Sequence, residues 1–330
     1  MTPEIDQLEE ELLAQVSRWL KQNQCHFETL QPLAGDVSPR RYLRLHGGTE
    51  SAIVAHYPAD AADAGERFVL TTRMLTQAGV RVPKIFDWDA DAGMMLLEDI
   101  GEATAYDAVC AGHLAGPYWQ QALIPLEGIS RLDLAEVDAL NPPLDGPMLR
   151  REVQQSWDLV LEPRGLGGEG SIADELSLAL FALCDRLADA PLRPCHRDFM
   201  ARNLLPDSAD DLVVIDHQDL RLAPPWYDLA SLLNDSLYAS PEEEEGLLDL
   251  ARVPQPERED YHRAAAQRAL KIVGTFAAFA ARGFNRHLVL IEPSLRAARR
   301  HLERLPETTP LMGELAPAWD SFVDDSDSLG

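Results

Sequence analysis

The first hundred residues alternate between helical and extended hydrophobic patterns. Apolar side chains recur at helical spacing from Ile5 to Leu20, and a second helix is predicted from about Ala62 to Ala78. Short apolar runs predict four strands, near Tyr42–Leu45, Ala52–Tyr57, Val82–Phe86 and Met94–Leu97. The last two flank an acidic turn expected from Asp87 to Gly93. These segments predict a small sheet with one inserted helix.

After Gly101 the pattern becomes largely helical. Two short strands interrupt it, near Leu204–Leu205 and Leu212–Ile215. The acidic run Glu242–Glu245 is expected to be a solvated loop or the start of a helix. Three long helices are predicted, from a candidate cap at Ser171 to about Ala188, near Tyr261–Arg282 and near Pro293–Leu305. The chain is therefore predicted to be α+β, with an N-terminal lobe over residues 1–100 and a C-terminal lobe over 101–330.

Composition excludes several classes of protein. The chain has 29 basic and 55 acidic residues, a net charge of −26, which opposes binding to nucleic acid or to anionic lipid. Its four cysteines are widely spaced, without a zinc or disulfide pattern, and the acidic first residues do not form a signal peptide. We expect a soluble cytoplasmic monomer without nucleic-acid or membrane partners.

The segment His196–Asn203 carries the strongest chemical signal. His-Arg-Asp is followed after four residues by Asn, which is the spacing of a kinase catalytic loop. Phosphoryl transfer needs a carboxylate beside the acceptor hydroxyl, a role that the spacing assigns to Asp198, and oxygen ligands for Mg²⁺, one of which would be Asn203. Asp216 ends a buried apolar strand thirteen residues later and is predicted to be the second Mg²⁺ ligand.

Three neighbours are expected to support this constellation. His196 is predicted to orient the loop backbone, and Asp219 is assigned to the substrate side of the site. Asp228 is predicted to brace the catalytic loop, with an ordinary helix cap as the alternative. Taken one at a time, these acids and Asn203 could equally be turn or cap residues.

On the His196–Asn203 loop and the Ile215–Asp216 strand end, the chain resembles the aminoglycoside phosphotransferase and choline kinase superfamily. That resemblance implies a bilobal protein-kinase-like fold, with a small antiparallel-sheet N-lobe and a larger, mainly helical C-lobe, and the cofactors ATP and Mg²⁺. The Asp-Phe-Gly and Ala-Pro-Glu motifs of protein kinases are absent. The resemblance therefore implies a small-molecule acceptor.

Further segments resemble one branch, the kinases that phosphorylate the anomeric hydroxyl of N-acetylmuramate and N-acetylglucosamine in cell-wall recycling. The segments are Gly35–Arg44, Gly93–Gly101, Ile215–Asp219, Gln267–Lys271 and Arg286–Leu288. On this resemblance, the backbone of Glu98, Asp99 and Ile100 at the lobe hinge is expected to contact adenine. The substrate implied is a sugar or amino sugar.

The Gly35–Arg44 segment is expected to cover the ATP phosphates through Ser38, Arg40 and its backbone amides. Without the resemblance it would be interpreted as a hairpin turn. The strand that follows lacks the usual nucleotide-binding Lys, and Arg41 or Arg44 could supply the missing charge. The sequence does not choose between them.

The acceptor side is predicted from a local excess of positive charge. Residues 251–304 contain eleven basic and five acidic residues, a net +6 against −32 for the remainder. Arg268, Lys271, Thr275 and Arg282 share one helical face, opposite an apolar face ending at Phe279. Arg268 and Lys271 are therefore expected to bind an anionic acceptor. The alternative is a solvated face paired with the acidic remainder.

The predicted activity is ATP- and Mg²⁺-dependent phosphorylation of a sugar hydroxyl. Two alternatives stay open at this point. One is a kinase of another small alcohol, such as an aminoglycoside, choline or homoserine. The other is an inactive nucleotide-binding scaffold, which the missing Lys and the glycine-poor loop would suit.

Overall fold

The computed structural model divides into two compact units. Unit 1 comprises residues 1–102 and 205–218, and unit 2 comprises 103–204 and 219–330. The residues that the structure describes are 3–33, 39–47, 51–113, 118–164, 166, 172–207, 209, 211–314 and 319. Ser171, the predicted cap, lies outside them. Residues 205–218, which were expected in the C-terminal lobe, cluster with unit 1.

Unit 1 is built on a five-stranded antiparallel sheet in the order β1-β2-β3-β5-β4. Its strands are β1 (Thr29–Pro32), β2 (Arg41–His46), β3 (Ala52–His56), β4 (Ile85–Asp89) and β5 (Met94–Glu98), and its helices are α1 (Pro3–Gln22) and α2 (Ala62–Gln77). Alternation along β2 and β3 gives the sheet two apolar faces. Leu43 and Val54 pack with α1 residues such as Leu20, while Ala55 packs with Phe68 of α2.

Two strand predictions needed correction. β1 was not predicted, because its four residues are mostly exposed and carry no alternating pattern; they pair with β2 through the backbone. β4 runs from Ile85 to Asp89, so the segment expected to begin the acidic turn is strand. Val82, at which this strand was expected to begin, is buried in the connection before it.

Unit 2 is mainly helical, which confirms the predicted fold class. Its helices are α3 (Ala105–Cys110), α4 (Tyr118–Ser130), α5 (Leu134–Asp138), α6 (Gly146–Ser156), α7 (Ile172–Ala188), α8 (Tyr227–Leu233), α9 (Pro241–Leu250), α10 (Arg258–Ala280) and α11 (Ile291–Leu302). The short strands β6 (Arg193–Cys195) and β9 (Arg221–Ala223) form an antiparallel pair. β7 (Leu204–Pro206) and β8 (Leu212–Val214) form another two-stranded sheet, most of which falls in unit 1.

Helix α10 lies at the centre of unit 2, in contact with α6, α7, α8 and α11. It is buried on all sides from Tyr261 to Gly274, where alanines at four positions allow close approach of its neighbours. A Cβ at Gly274 would come within 2.8 Å of the Ser156 backbone nitrogen at the end of α6. Gly274 is therefore required for this contact between helices.

The acidic run begins α9, which was one of the two expectations for it, but its member Glu244 is buried. Glu244 has no exposed surface and accepts the Tyr261 hydroxyl at 2.5 Å. Beside it, His262 and His301 share a hydrogen bond of 3.0 Å between their Nδ1 atoms. Burial and the nearby arginines, among them Arg300, lower the pKa of His262 to about 4. The two imidazoles are consequently held neutral inside the helical unit.

Candidate active site

The predicted catalytic loop connects β6 to β7. Phe199 is fully buried and anchors it, and Arg197 adopts a left-handed conformation with φ of 79°. The Asn203 side chain closes the loop, since its Nδ2 donates to the backbone carbonyl of Asp198 at 2.9 Å. The amide oxygen of Asn203 is thereby left to face away from the loop.

Asp228 holds the start of this loop. Its Oδ2 accepts the backbone N–H of His196 at 2.6 Å, and its Oδ1 accepts that of Arg197 at 2.9 Å and the Cys195 thiol at 3.1 Å. Asp228 lies in the first turn of α8 and does not cap it; the N-cap residue is Trp226. The three bonds that Asp228 accepts from the loop are those expected of a residue that braces it. His196 is fully buried beside Phe199, as an architectural side chain would be.

The Asp198 carboxylate is paired with two cations from α10. Its Oδ1 accepts from Arg268 Nη1 at 2.7 Å and from Lys271 Nζ at 2.9 Å. Burial alone would raise the pKa of Asp198, but the charges of Lys271, Arg268 and Arg197 hold it well below the usual range. Asp198 is therefore an ionised carboxylate whose Oδ2 receives no hydrogen bond from the described residues.

The two basic residues predicted to bind the acceptor from α10 are paired with acids of the protein itself. Arg268 is 1% exposed, and besides Asp198 it binds Asp235 at 3.1 Å. Burial lowers the pKa of Lys271, against the opposing charge of Asp198. Both cations are thus occupied by acids, as are most of the others in the basic segment. On the opposite face, Phe279 is only half-buried.

A second ionic group lies around Arg197. Its guanidinium contacts Glu152 at 3.1 Å and Asp219 at 3.4 Å. Asp219 also faces Arg221 at 3.7 Å, and Glu152 accepts from Gln267 at 2.9 Å. Asp219, assigned to the substrate side, is therefore placed among the side chains that hold the loop.

In unit 1, Asp216 follows β8 in a left-handed conformation with φ of 60°. The neighbouring His217 anchors this turn by stacking on Phe68 at 4.3 Å. Asp216 Oδ1 accepts from Arg40 Nη2 and from Gln218 Nε2, each at 2.9 Å. A guanidinium therefore lies directly beside the predicted metal ligand.

The structure separates the three arginines that could serve the nucleotide. Arg44 is buried and binds Asp99 through two bonds of 2.8 and 3.1 Å, with Glu102 as a further partner. Arg41 is exposed and contacts backbone carbonyls. Arg40 bonds to Asp216, whereas the described partners of Arg44 are Asp99, Glu102 and a backbone carbonyl, and which arginine replaces the missing Lys stays a prediction.

The hinge side chains are used within unit 1. Glu98 binds Arg81 at 2.6 Å, Asp99 binds Arg44, and Ile100 is half-buried. The Glu98 and Asp99 carboxylates are therefore occupied, the Glu98 N–H donates to the Lys84 carbonyl at 2.9 Å, and the backbone contact with adenine stays a prediction. Ser38, predicted to meet the phosphates, lies outside the described residues.

Several residues of the site were missed in the sequence. Asp235 and Glu152 neutralise Arg268 and Arg197, yet they stand 33 and 45 residues away along the chain. No spacing motif links such pairs. A single acid among mostly apolar residues, as at Asp235, is a weak signal that many positions share.

Each predicted metal ligand, considered within its own unit, offers an oxygen of the kind that Mg²⁺ prefers. Asp216 offers a carboxylate whose side chain is 40% exposed, and Asn203 offers the amide oxygen that its closing hydrogen bond leaves available. Carboxylate and amide oxygens are ligands suited to this hard cation. Both residues remain predicted ligands.

The fold defines a class of protein. Choline kinase LicA from Streptococcus pneumoniae matches with a TM-score of 0.59 and 17% identity, over 90% of this chain and 98% of that one. The ADP-bound aminoglycoside phosphotransferase APH(2'')-Ib matches with a TM-score of 0.58 and 14% identity, over 91% and 98%. These likenesses confirm the bilobal protein-kinase-like fold.

The sequence comparisons agree. The chain belongs to the phosphotransferase enzyme family, which it matches over residues 29–267. The N-acetylmuramate/N-acetylglucosamine kinase of Pseudomonas aeruginosa is 34% identical over 304 residues, covering 87% of both chains. The kinase of the same name from Pseudomonas putida is 31% identical over 305 residues, with the same coverage. The protein is a small-molecule phosphotransferase, and the resemblance inferred from its motifs is confirmed.

In the described part of the chain, none of the helices has the length and apolar character needed to span a bilayer.

Proposed function

We propose that this phosphotransferase uses ATP and Mg²⁺ to phosphorylate the anomeric hydroxyl of N-acetylmuramate and N-acetylglucosamine, sugars released in cell-wall recycling. The observation that carries the proposal is the similarity, over most of both chains, to kinases named for these two sugars, joined to an intact Asp198–Asn203 loop. The choline kinase and the aminoglycoside phosphotransferase compared above are 17% and 14% identical to this chain and bear on the fold alone.

The electrostatics of Asp198 define what it can do in this reaction. Its Oδ1 is held by Arg268 and Lys271, so Oδ2 is the atom that would accept the hydrogen bond of the acceptor hydroxyl. A carboxylate with so low a pKa is a weak proton acceptor. That suits a loose phosphoryl-transfer transition state, in which the hydroxyl must be oriented and its proton leaves late.

Nucleotide binding is assigned to unit 1. Arg40 would place its guanidinium on the phosphate oxygens, as charge-assisted forks do. Asp216 of unit 1 would be one Mg²⁺ ligand, as is predicted separately for Asn203 of the catalytic loop, and the ion would neutralise charge on the transferring phosphoryl group. Positioning of ATP and the acceptor, together with charge neutralisation, would then supply most of the rate acceleration of phosphoryl transfer.

A product-detected kinase screen tests the proposal. Wild-type protein and Asp198→Asn are incubated with MgATP and one of four acceptors: N-acetylmuramate, N-acetylglucosamine, an aminoglycoside or choline. We expect phosphate on the two amino sugars with the wild type and a loss of roughly 100-fold or more with the variant. The matched control Asp138→Asn changes an exposed acid in α5 and should retain activity. Phosphate on the aminoglycoside or choline alone would overturn the proposal.

A further inference from the structure

The cations closest to Asp198 are not free to bind an anionic acceptor. Arg268 joins Asp198 to Asp235, and Lys271 binds the same Asp198 oxygen. Arg197 is held by Glu152. If an anionic sugar is a substrate, its charge must be met by another side chain near the catalytic loop.

Arg202 lies in the loop itself, immediately before Asn203. Its guanidinium stacks on Tyr106, 4.0 Å from the ring centroid, and its Nε donates to Ser236 Oγ at 3.1 Å. Among the described residues, neither of its Nη groups meets a carboxylate within ion-pair distance. The half-buried Arg202 guanidinium is therefore held by its ring contact and its Nε, and no described carboxylate occupies its Nη groups.

The nearby acid, Asp107, forms no ion pair with Arg202 in the described part of the chain. Its Oδ2 accepts the Thr104 hydroxyl at 2.6 Å and the backbone N–H of Thr104 at 2.9 Å, and these bonds, followed by the charge of Arg202, lower its pKa. The bond from the Thr104 N–H and the bond that the Asp107 N–H donates to the Thr104 hydroxyl, at 3.2 Å, form the capping box of α3. The Asp107 carboxylate is thus used in starting a helix.

The neighbours of Arg202 include a pair of stacked rings. Burial lowers the pKa of His287, and the charges of Arg286 and Arg202 lower it further, so the three side chains share one neighbourhood. The His287 ring stacks on Phe276 with centroids 4.8 Å apart and planes 9° apart. Phe276 lies five residues after Lys271 on α10. A flat ring pair with an uncharged imidazole therefore lies in the neighbourhood of Arg202.

The closed turn of the loop holds the backbone of Arg202 near that of Asp198. Asn203 Nδ2 bonds the Asp198 carbonyl at 2.9 Å, so the chain between the two residues forms a closed turn. Two parallel Nη groups match the two oxygens of a carboxylate, which gives a bidentate, charge-assisted contact. We propose that Arg202 binds the carboxylate of an anionic amino-sugar acceptor and so determines the preference for N-acetylmuramate over neutral sugars. This inference rests on the proposed sugar kinase function.

Steady-state kinetics with two acceptors at saturating MgATP tests it. N-acetylmuramate carries the lactyl carboxylate and N-acetylglucosamine does not, so the neutral sugar reports any distortion of the loop. Arg202→Gln should lower kcat/KM for N-acetylmuramate by about 10- to 100-fold, mainly through KM. It should change kcat/KM for N-acetylglucosamine by less than about twofold. Arg202→Lys, which keeps the charge but loses the fork, should lie between.

Arg150→Gln is the matched control, because it removes another guanidinium that stacks on a ring in unit 2, at 6.0 Å from Phe181. It should leave both acceptors unaffected. An equal loss for both acceptors in Arg202→Gln, or no loss for N-acetylmuramate, would overturn the inference. A wild type that phosphorylates only the neutral sugar would also overturn it while leaving sugar kinase activity intact. A wild type that phosphorylates neither would instead refute the proposed function.

Discussion

Replacing Asp228 with asparagine tests whether this carboxylate positions the catalytic loop. Each of its oxygens accepts one backbone N–H, from His196 at 2.6 Å and from Arg197 at 2.9 Å, and the residue is 6% exposed. Asparagine keeps the size but offers a single acceptor oxygen, so its NH₂ group must face one of these N–H donors. A buried bond to a charged acceptor is lost and a backbone donor is left unpaired.

The magnitude follows from these contacts. Losing such a bond and leaving its donor buried costs about 2 to 4 kcal/mol. Burial raises the pKa of Asp228, so removing its charge offsets part of that cost, and we expect about 2 kcal/mol. Because His196 and Arg197 directly precede Asp198, a displaced loop start misplaces the carboxylate, and kcat should fall roughly 100-fold.

Urea unfolding followed by tryptophan fluorescence, together with steady-state kinetics, measures both effects. Asp138→Asn, an exposed acid in the same unit, provides the reference for a surface substitution. If Asp228→Asn unfolds at the same urea concentration as that control and keeps its kcat, the bracing role is refuted.

Three further predictions concern the ionic groups. Arg268→Met should destabilise the protein by roughly 3 kcal/mol in urea unfolding, because the buried Asp235 loses its cation and Asp198 keeps only Lys271; adding Asp235→Asn should recover part of this, and no recovery would contradict the pairing. The pKa of His262 is lowered from 6.5 to about 4, so the unfolded state binds the proton more tightly. The free energy of unfolding should therefore fall by about 3 kcal/mol between pH 6.5 and pH 4. The fall should be smaller in His262→Gln, and an equal fall would show that His262 is not its cause. Arg40→Gln should raise the KM for ATP about tenfold, and Arg41→Gln should leave it nearly unchanged. A larger effect of Arg41→Gln than of Arg40→Gln would contradict the assignment of Arg40 to the ATP phosphates.

Local patterns in the sequence predicted the parts of the molecule that depend on short-range spacing. The strands β2, β3 and β5 and helix α2 were placed within about two residues, because alternation and helical periodicity are properties of neighbouring residues. The loop from His196 to Asn203 was predicted for the same reason. β1 was missed because an exposed edge strand of four residues carries no such pattern.

The ionic surroundings of the site could not be predicted in this way. The shared face of Arg268 and Lys271 was correctly expected, since helical spacing defines it. Its burial was not expected, because it depends on Asp198, some 70 residues away, and on Asp235. Glu244 shows the same limit, since an acidic run gives no sign that Tyr261 will enclose one of its members.

The most direct test of the account is ³¹P NMR of the product formed from MgATP and N-acetylmuramate by the wild type and by Asp198→Asn. The account predicts an anomeric sugar phosphate that forms only with both ATP and Mg²⁺ and that falls by roughly 100-fold or more in the variant. Absence of any sugar phosphate with the wild type, phosphate at another hydroxyl, or full activity in Asp198→Asn would contradict it.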